Sequence, residues 1–554
     1  MMTTTRLRMT RYYLTYARQH KDDWQVLDGD QFAQIRRGWT VASEGSAGLP
    51  ADEQANLIFG YLNALDSYLE RRGLWAELLA WNQRALTAAQ GIGNEALVGG
   101  LLNDIGLCHR HLGRYGEARE IFEQALAVRR RVGPVAGEAV TLNNLGLVHD
   151  DLSEYAQAIA FYEQALPLRQ AAGDRAGEGI TLQNLATTLM QIGRWGEAAE
   201  RFEQALVIER EAGDRMGEAG TLSNLGQLYL QMSRRDEAEA ALTQALALMR
   251  AIGDRGHETA ALNNLGLLAR ARGQPRRALA LFEEALAVQR QAGVTGTEAP
   301  LLNNLGTTYQ TLGDWRRALA YFQQALARHQ ATGDRAGQAT ALANIGGLHL
   351  ERDALAEARV AYEQALALVQ ASGDRDSEAT LLNNLAAVLR AQGELDRAAE
   401  HLATALATAR EVGNREMEAT ALSNLAATRF DRGDLPGARA ALEAALALRP
   451  ETGDLLAAGA TLNNLAAVSS AQGDPAAAVD YYERALAVRR QIEDVAGQAH
   501  TLYNLGILCT DLGDFGRAEI ALAEAVTLDE QCDLPQISRD RKALLEIRSR
   551  RKRT

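Results

Sequence analysis

The chain has 554 residues, of which 47% are apolar and 23% are charged, a composition that allows a buried core and shows no bulk disorder. Its net charge of −13 argues against a general nucleic-acid binder, because phosphate binding needs a basic face. No apolar run approaches the roughly 18 residues of a membrane helix, and the first residues lack a signal-peptide core, so we expect a cytoplasmic protein with no membrane partner.

Residues 1–60 precede the regular part of the sequence. We expect them to form an N-terminal helical segment that caps the regular part, because the end of a repeat array otherwise exposes its apolar face. The first 21 residues carry five basic side chains and no acid.

From residue 61 to residue 540 the sequence repeats with a period of forty residues. The leucine column of this repeat is Leu62, Leu102, Leu142, Leu182, Leu222, Leu262, Leu302, Leu342, Leu382, Leu422, Leu462 and Leu502. The alanine column is Ala85, Ala125, Ala165, Ala205, Ala245, Ala285, Ala325, Ala365, Ala405, Ala445, Ala485 and Ala525. Small residues at fixed places predict twelve repeats whose helices approach each other closely.

Each repeat has the pattern of a helical hairpin. In the unit from Ala176 to Arg215, apolar residues follow a three-to-four spacing up to Gly193 and resume it from Ala198. Most units close with a Gly-Asp or Gly-Asn pair, such as Gly213-Asp214. Glycine can take the left-handed position past a helix end, and the next side chain can accept from the first amides of the following helix. One helix should therefore end, and another begin, within two residues.

Two places depart from the regular pattern. Residues 293–300 lack the Asp cap and carry Pro300 where other repeats are already helical, so we predict a late start or kink there. Residues 535–554 form a predicted basic capping helix, with eight basic residues between 539 and 554 against Asp540 and Glu546. This basic tail is either the solvated end of a terminal helix or a contact for an anionic partner.

Two motifs recur in the hairpins: "NLG..H" from Asn144 to His149 and "Y..A...Y..AL" from Tyr155 to Leu166. They resemble the tetratricopeptide repeat, and the six extra residues per unit resemble the longer repeats of kinesin light chains and Pins-type adaptors. The resemblance implies an all-α, right-handed superhelical solenoid of about twelve helix-turn-helix repeats with a concave groove for a protein or peptide. Residues 9–40 resemble the arm of bacterial STAND-type regulators, although no lysine here follows a glycine as a Walker A loop requires.

No pattern in the sequence predicts catalysis, a cofactor or a metal site. Histidines share one repeat column at His109, His149 and His349, but positions forty or more residues apart in a stacked array cannot converge on one ion. The three cysteines lack C-x-x-C spacing, which favours reduced thiols. Because nucleophile elbows, zinc-protease motifs and phosphate loops are also missing, we predict a non-enzymatic protein without a cofactor.

Two adjacent polar columns remain, and they point in different directions because a helix turns by about 100° per residue. The later column is Asp104, Asn144, Asn184, Asn224, Asn264, Asn304, Asn344, Asn384, Asn424, Asn464 and Asn504. A buried unpaired amide costs about 1–3 kcal/mol. We therefore expect the amides of this column to hydrogen-bond across the seam between repeats.

The earlier column stands one residue before the later column and varies much more. It is Asn103, Asn143, Gln183, Ser223, Asn263, Asn303, Ala343, Asn383, Ser423, Asn463 and Tyr503. This position resembles those that line the concave groove in tetratricopeptide repeats, and variation suits a partner-reading surface. We expect its larger polar members, Asn103, Asn143, Gln183, Asn263, Asn303, Asn383, Asn463 and Tyr503, to contact a partner, together with Arg110, Arg270 and Arg390 further along the same face.

These patterns favour a non-enzymatic scaffold that binds a protein or peptide in its groove. The alternative is a sensor or regulatory arm that acts on a separate ATPase or effector enzyme in signalling or defence, as the resemblance of residues 9–40 implies. Nucleic-acid contact through residues 548–553 is the third and least favoured hypothesis. The sequence leaves the partner, the pathway and the oligomeric state open.

Overall fold

A computed structural model describes residues 2–21, 23–44, 49–132, 135–292, 298–532 and 534–551. Within these ranges the chain is helical with short connections and contains no strand. It divides into two compact units, Met1–Arg272 and Gly273–Thr554.

The first unit contains the N-terminal segment and the first hairpins. Its helices are α1 (Met2–Gln19), α2 (Trp24–Leu27), α3 (Asp30–Glu44), α4 (Ala51–Arg71), α5 (Trp75–Gly91), α6 (Glu95–His111), α7 (Tyr115–Val132), α8 (Val135–Asp151), α9 (Tyr155–Ala172), α10 (Arg175–Gln191), α11 (Trp195–Ala212), α12 (Arg215–Gln231), α13 (Arg235–Ile252) and α14 (Arg255–Ala271). Helices α1 and α3 pack on α4, where the Tyr61 hydroxyl donates to the Thr10 carbonyl at 2.7 Å.

The second unit continues the hairpins and ends in a single helix. Its helices are α15 (Pro275–Gln291), α16 (Glu298–Thr311), α17 (Trp315–Thr332), α18 (Arg335–Glu351), α19 (Leu355–Ser372), α20 (Arg375–Ala391), α21 (Leu395–Val412), α22 (Arg415–Asp431), α23 (Leu435–Thr452), α24 (Leu455–Ala471), α25 (Pro475–Gln491), α26 (Val495–Asp511), α27 (Phe515–Cys532) and α28 (Ile537–Arg551). Of the segment predicted to be irregular, residues 293–297 lie outside the described part, and α16 is described from Glu298 onwards.

From α4 onwards, consecutive helices within each unit pack on each other, and the even-numbered helices are the first helices of hairpins and the odd-numbered ones the second. First helices also contact the first helices of neighbouring hairpins, as α6, α8, α10, α12 and α14 do in one unit and α24 and α26 do in the other. Second helices make no comparable contact among the described residues. The first helices therefore lie on the inner side of each stack, and we call this side the first-helix face.

The turns between hairpins follow the predicted Gly-Asp chemistry. Gly173 ends α9 in the left-handed region at φ 66°, and the Asp174 carboxylate accepts from the Gly177 amide at 3.0 Å. Gly413 and Asn414 do the same between α21 and α22. The prediction that one helix ends and the next begins within two residues is confirmed at these turns.

The core of each hairpin joins a small residue on one helix to a large one on the other. Gly106 of α6 lies against the Phe122 ring of α7, and a Cβ added at Gly106 would stand 2.6 Å from that ring. Phe122 and Ala118 are fully buried. These contacts explain the recurring small residues, and together with the helix order they confirm the predicted all-α repeat solenoid.

Candidate partner-binding face

A ladder of side-chain amides crosses the seams between first helices. The Asn144 Nδ2 donates to the Asn103 Oδ1 at 3.0 Å, and the Asn184 Nδ2 donates to the Asn143 Oδ1 at 3.1 Å. The same bond joins Asn424 to Asn383 at 2.8 Å and Asn504 to Asn463 at 3.4 Å. In each rung the later column supplies the donor and the earlier column of the preceding hairpin supplies the acceptor.

The position of the earlier column differs from the outward orientation expected from the sequence. Asn103, Asn143, Asn383 and Asn463 are all at least nine-tenths buried, and each accepts from the next first helix. The physical reason is the close approach of neighbouring first helices, which places the acceptor inside the contact. Both columns therefore belong to the seam at these four rungs.

Of the remaining members of the two columns, Asn144 is buried, Asn464 is exposed and the others are half-buried. Gln183 donates to Glu209 at 2.5 Å and to the Thr221 hydroxyl, which itself donates to Glu209 at 2.9 Å, so this glutamine is also tied to its own unit. Burial raises the pKa of Glu209. Asn263, Asn304 and Asn303 are half-buried as well, and the Asn303 Oδ1 is buried without a hydrogen bond, so no rung joins Asn303 to Asn344.

The ladder is also interrupted where the earlier column is not asparagine. Asn224 follows Gln183, Asn264 follows Ser223 and Asn464 follows Ser423. Within the described ranges, none of these three later-column amides has a hydrogen-bond partner. Each missing rung therefore leaves an amide on the first-helix face that is able to donate and accept.

A pocket opens at one of these interruptions. It lies between α22 and α24, two successive first helices that approach each other less closely than α20 and α22 do, and its volume is about 380 Å³. Its lining is Arg390, Ser423, Asn424, Ala426, Ala427, Phe430, Asp431, Leu442, Asn464, Ala467 and Val468. Sequence reasoning missed this pocket, although the change from asparagine to serine at position 423 marks it.

The three arginines expected to contact a partner have different surroundings. The Arg110 Nε donates to Asp151 at 2.5 Å, while the Arg390 Nε lies 3.4 Å from an Asp431 oxygen at the rim of the pocket. Burial lowers the pKa of Arg270. Of the three, only Arg390 lines this pocket.

Tyr503, at the last position of the earlier column, lies beside α28. The Arg539 guanidinium of α28 stacks over the Tyr503 ring at 3.8 Å from its centre. Elsewhere on α28, Arg548 and Arg551 both pair with Glu519, and Arg550 pairs with Glu546. These arginines of the basic tail are thus neutralised within the chain, and residues 552–554 lie outside the described part.

A second pocket, of about 480 Å³, lies between α4 and α6 in the first unit. It is lined by Arg18, Asn56, Phe59, Gly60, Leu62, Asn63, Asp66, Leu97, Leu101 and Asp104. Burial raises the pKa of Asp104 to about 6, and it also raises the pKa of Asp66. The sequence marked this place only by an aspartate at the head of the later column.

In the histidine column, His149 contacts side chains of its own hairpin. His149 is buried, its Nδ1 lies 2.6 Å from a Glu154 oxygen, and its ring stacks on Phe161. No three His, Cys, Asp or Glu side chains in the described chain are arranged to hold a metal ion. No described helix combines the length and apolar character needed to cross a membrane.

The tetratricopeptide repeat pattern matches this sequence at residues 66–131, 97–171, 137–211, 177–251, 217–291, 297–371, 377–451 and 457–531. The chain belongs to the tetratricopeptide repeat family. Comparison with curated proteins gave no match.

Several solved structures are similar to this tetratricopeptide repeat protein. The apo quorum sensor NprR from B. thuringiensis is 16% identical over 63% of this chain and 97% of its own, with a TM-score of 0.47. The STAND ATPase with a tetratricopeptide repeat sensor from Pyrococcus horikoshii is 13% identical over 72% and 69%, with a TM-score of 0.43. The protein BtubC (BKLC) from P. vanneervenii is 22% identical over 40% and 92%, with a TM-score of 0.37.

Proposed function

We propose that this tetratricopeptide repeat protein is a non-enzymatic, cytoplasmic scaffold that binds an extended protein or peptide segment on its first-helix face. The observation that supports the proposal most directly is the interrupted amide ladder. At a complete rung the later-column amide donates to the asparagine of the preceding hairpin, whereas at the interruption beside Ser423 the Asn464 amide is exposed and has no hydrogen bond to a described residue. An extended segment has unpaired backbone groups at regular spacing, and side-chain amides can pair with them.

The pocket between α22 and α24 has the composition expected of an anchor site. Its floor is apolar, with Leu442 and Val468 beside three alanines, so it suits an apolar side chain of the bound segment. Asn464 is exposed at its edge and can hold the backbone next to that side chain. Phe430 is 39% exposed at the same pocket and offers further apolar surface.

Charges at the rim restrict which segments fit. Arg390 and Asp431 are each about two-fifths exposed and lie close enough for only a long ion pair, 3.4 Å between the nearest atoms. Exposed pairs of this kind contribute little to stability, so either member can turn to a charged group of a partner. In the first unit the unpaired Asn224 and Asn264 offer the same backbone-binding chemistry without such a pocket among those described.

The test uses the intact chain to select binders from a randomised peptide display library and then measures the affinity of the enriched peptides. Replacing Asn464 with alanine should weaken their binding at least tenfold, which corresponds to about 1.4 kcal/mol, and leave the free energy of unfolding nearly unchanged. Asn184→Ala is the matched control, because the Asn184 amide is occupied by Asn143 and Asn184 does not line this pocket.

The control variant should show the opposite pattern, with a loss of stability and little change in affinity under conditions where it is fully folded. Peptides that bind the Asn464→Ala protein as tightly as the parent protein would remove this pocket from the proposal. Regulation of a separate ATPase or effector enzyme, the alternative from the sequence, stays a prediction.

A further inference from the structure

Two aspartates that no part of the repeat pattern requires are buried together at the C-terminal end. Asp529 belongs to α27 and Asp540 to α28, and both side chains are fully buried. Their carboxyl groups are within hydrogen-bonding reach of each other. In other hairpins the position of Asp529 holds residues such as Arg169 and Arg489, so a carboxyl–carboxyl contact is particular to the last hairpin.

Few donors satisfy the four oxygens of this pair. The Arg539 Nε donates to one Asp540 oxygen at 2.7 Å. Both Asp529 oxygens and the second Asp540 oxygen are buried without a hydrogen bond of ordinary geometry from another described residue, although the Gln536 amide interacts with Asp529. Further charged or titratable groups nearby are His500 on α26, which interacts with Asp540 and with Arg489 of α25, and Tyr503 on α26, which interacts with Arg539; the Gln536 amide lies just before α28.

Two buried carboxylates in contact repel each other and lose hydration, so one of them retains a proton more readily than in water. Burial and the neighbouring Asp540 raise the pKa of Asp529 to about 6, against the opposing effects of Gln536 and Arg539. A protonated carboxyl supplies the donor that the oxygens otherwise lack.

We propose that a proton shared between Asp529 and Asp540 fastens α28 to the last hairpin, and that α28 detaches more often once the pair has lost this proton. The helix covers apolar surface, since its Leu544 and Ile547 pack with Leu522 and Val526. Its release also uncovers the Tyr503 ring. The C-terminal end of the first-helix face is therefore open or covered according to the protonation of one buried pair.

The direction of the effect follows from the raised pKa. The closed form binds the proton more tightly than the open form, in which Asp529 has its ordinary pKa of 3.8. Closure is therefore strongest in acid and weakens as the pH rises to about 6. A titration from pH 5 to pH 7.5 should increase the opening equilibrium of α28 about tenfold. Charging of His500 acts with the opposite sign, because burial, and then the nearby Arg489 and Arg539, lower the pKa of this imidazole.

The experiment is hydrogen exchange of the full-length chain at pH 5 and pH 7.5, corrected for the intrinsic exchange rate. Protection of α28 is compared with that of α20 and α22, which lie away from the pair. Protection of α28 in the parent protein should fall about tenfold relative to the reference helices. Asp529→Asn keeps a donor but cannot ionise, so α28 should stay protected at both pH values.

Glu519→Gln is the control variant. It weakens the ion pairs of Arg548 and Arg551 without touching the buried pair, so it should lower α28 protection at both pH values and keep the tenfold change. If Asp529→Asn does not fold, Asp540→Asn tests the same loss of pH dependence. The proposal is overturned if the parent shows no change between the two pH values, or if a folded Asn variant shows the same change as the parent. Neither result depends on whether the first-helix face binds a peptide.

Discussion

The Asn184 side chain donates to the Asn143 oxygen at 3.1 Å across the seam between α10 and α8. The two residues stand 41 positions apart, one repeat plus one residue, and this offset recurs at every complete rung. The repeat length thus determines the spacing of the amide ladder, because the donor of one hairpin bonds to the acceptor of the hairpin before it.

The ladder predicts that the same substitution, asparagine to alanine, lowers the free energy of unfolding by different amounts at two positions of the later column. Asn184→Ala leaves the buried Asn143 oxygen without a donor, so it should lower the free energy of unfolding by about 1–2 kcal/mol. Asn224→Ala removes an amide without a partner in the described chain and should change stability by less than about 0.5 kcal/mol. Chemical denaturation followed by circular dichroism measures both. Equal losses for the two variants would contradict a ladder based on paired amides.

Ser423→Asn should complete the missing rung between α22 and α24. The new side chain supplies the acceptor that Asn464 lacks, as Asn383 does for Asn424. We expect a gain in stability of about 1 kcal/mol and loss of the peptides selected through this pocket. The measurements are the midpoint of denaturation and the affinity for those peptides. A variant that gains stability yet keeps full affinity would separate the rung from the binding site.

The close contact between Gly106 and Phe122 predicts an overpacked hairpin when a methyl group is added. Gly106→Ala places the new carbon 2.6 Å from the ring, which should cost about 1–3 kcal/mol. Gly100, on the same helix, has open space at its Cβ position, so Gly100→Ala should be neutral or stabilising by up to about 1 kcal/mol. Thermal unfolding of the two variants separates the two effects. Helix propensity favours alanine at both positions, whereas only Gly106→Ala creates a steric clash, so the two variants should shift the melting temperature in opposite directions.

The buried carboxyl of Asp104 predicts a pH dependence for the first unit. Its pKa of about 6 lies above the ordinary 3.8, so the folded state binds the proton more tightly and stability falls as the pH rises towards 6. Between pH 5 and pH 7.5 this group should remove about 1.4 kcal/mol. Asp104→Asn should reduce the fall by that amount, and the part caused by Asp66 should remain. Denaturation at the two pH values gives the comparison; an unchanged fall would exclude Asp104 as its source.

Much of the fold could be predicted from the sequence because the repeat period, the helix breaks and the capping residues all indicate the same helix boundaries. The forty-residue period, the Gly193 break and pairs such as Gly213-Asp214 correspond to helix ends that the structure shows. Local chemistry decides these features, since a left-handed glycine and an Asp cap act within a few residues.

The direction of the earlier column could not be predicted in the same way. The step of about 100° per residue separates Asn143 from Asn144 on one helix but does not say how that helix is rotated against its neighbours. The acceptor role of Asn143 depends on α10, and the covering of Tyr503 depends on α28, both distant in sequence. The pocket at Ser423 could not be predicted for the same reason, because it depends on which residue of the next hairpin position 423 would pair with.

The break at Ser423 has a consequence for how such an array can change over generations. Because the later column is asparagine in every hairpin after Asp104, the complete rungs differ from the interruption at Ser423 by the residue of the earlier column, and the hairpins on either side have their own cores. A substitution at one position of the earlier column can therefore remove a rung and leave the facing amide unpaired. Point mutations in the earlier column can therefore move a partner-binding amide from one repeat to the next during evolution, while the helices themselves stay the same.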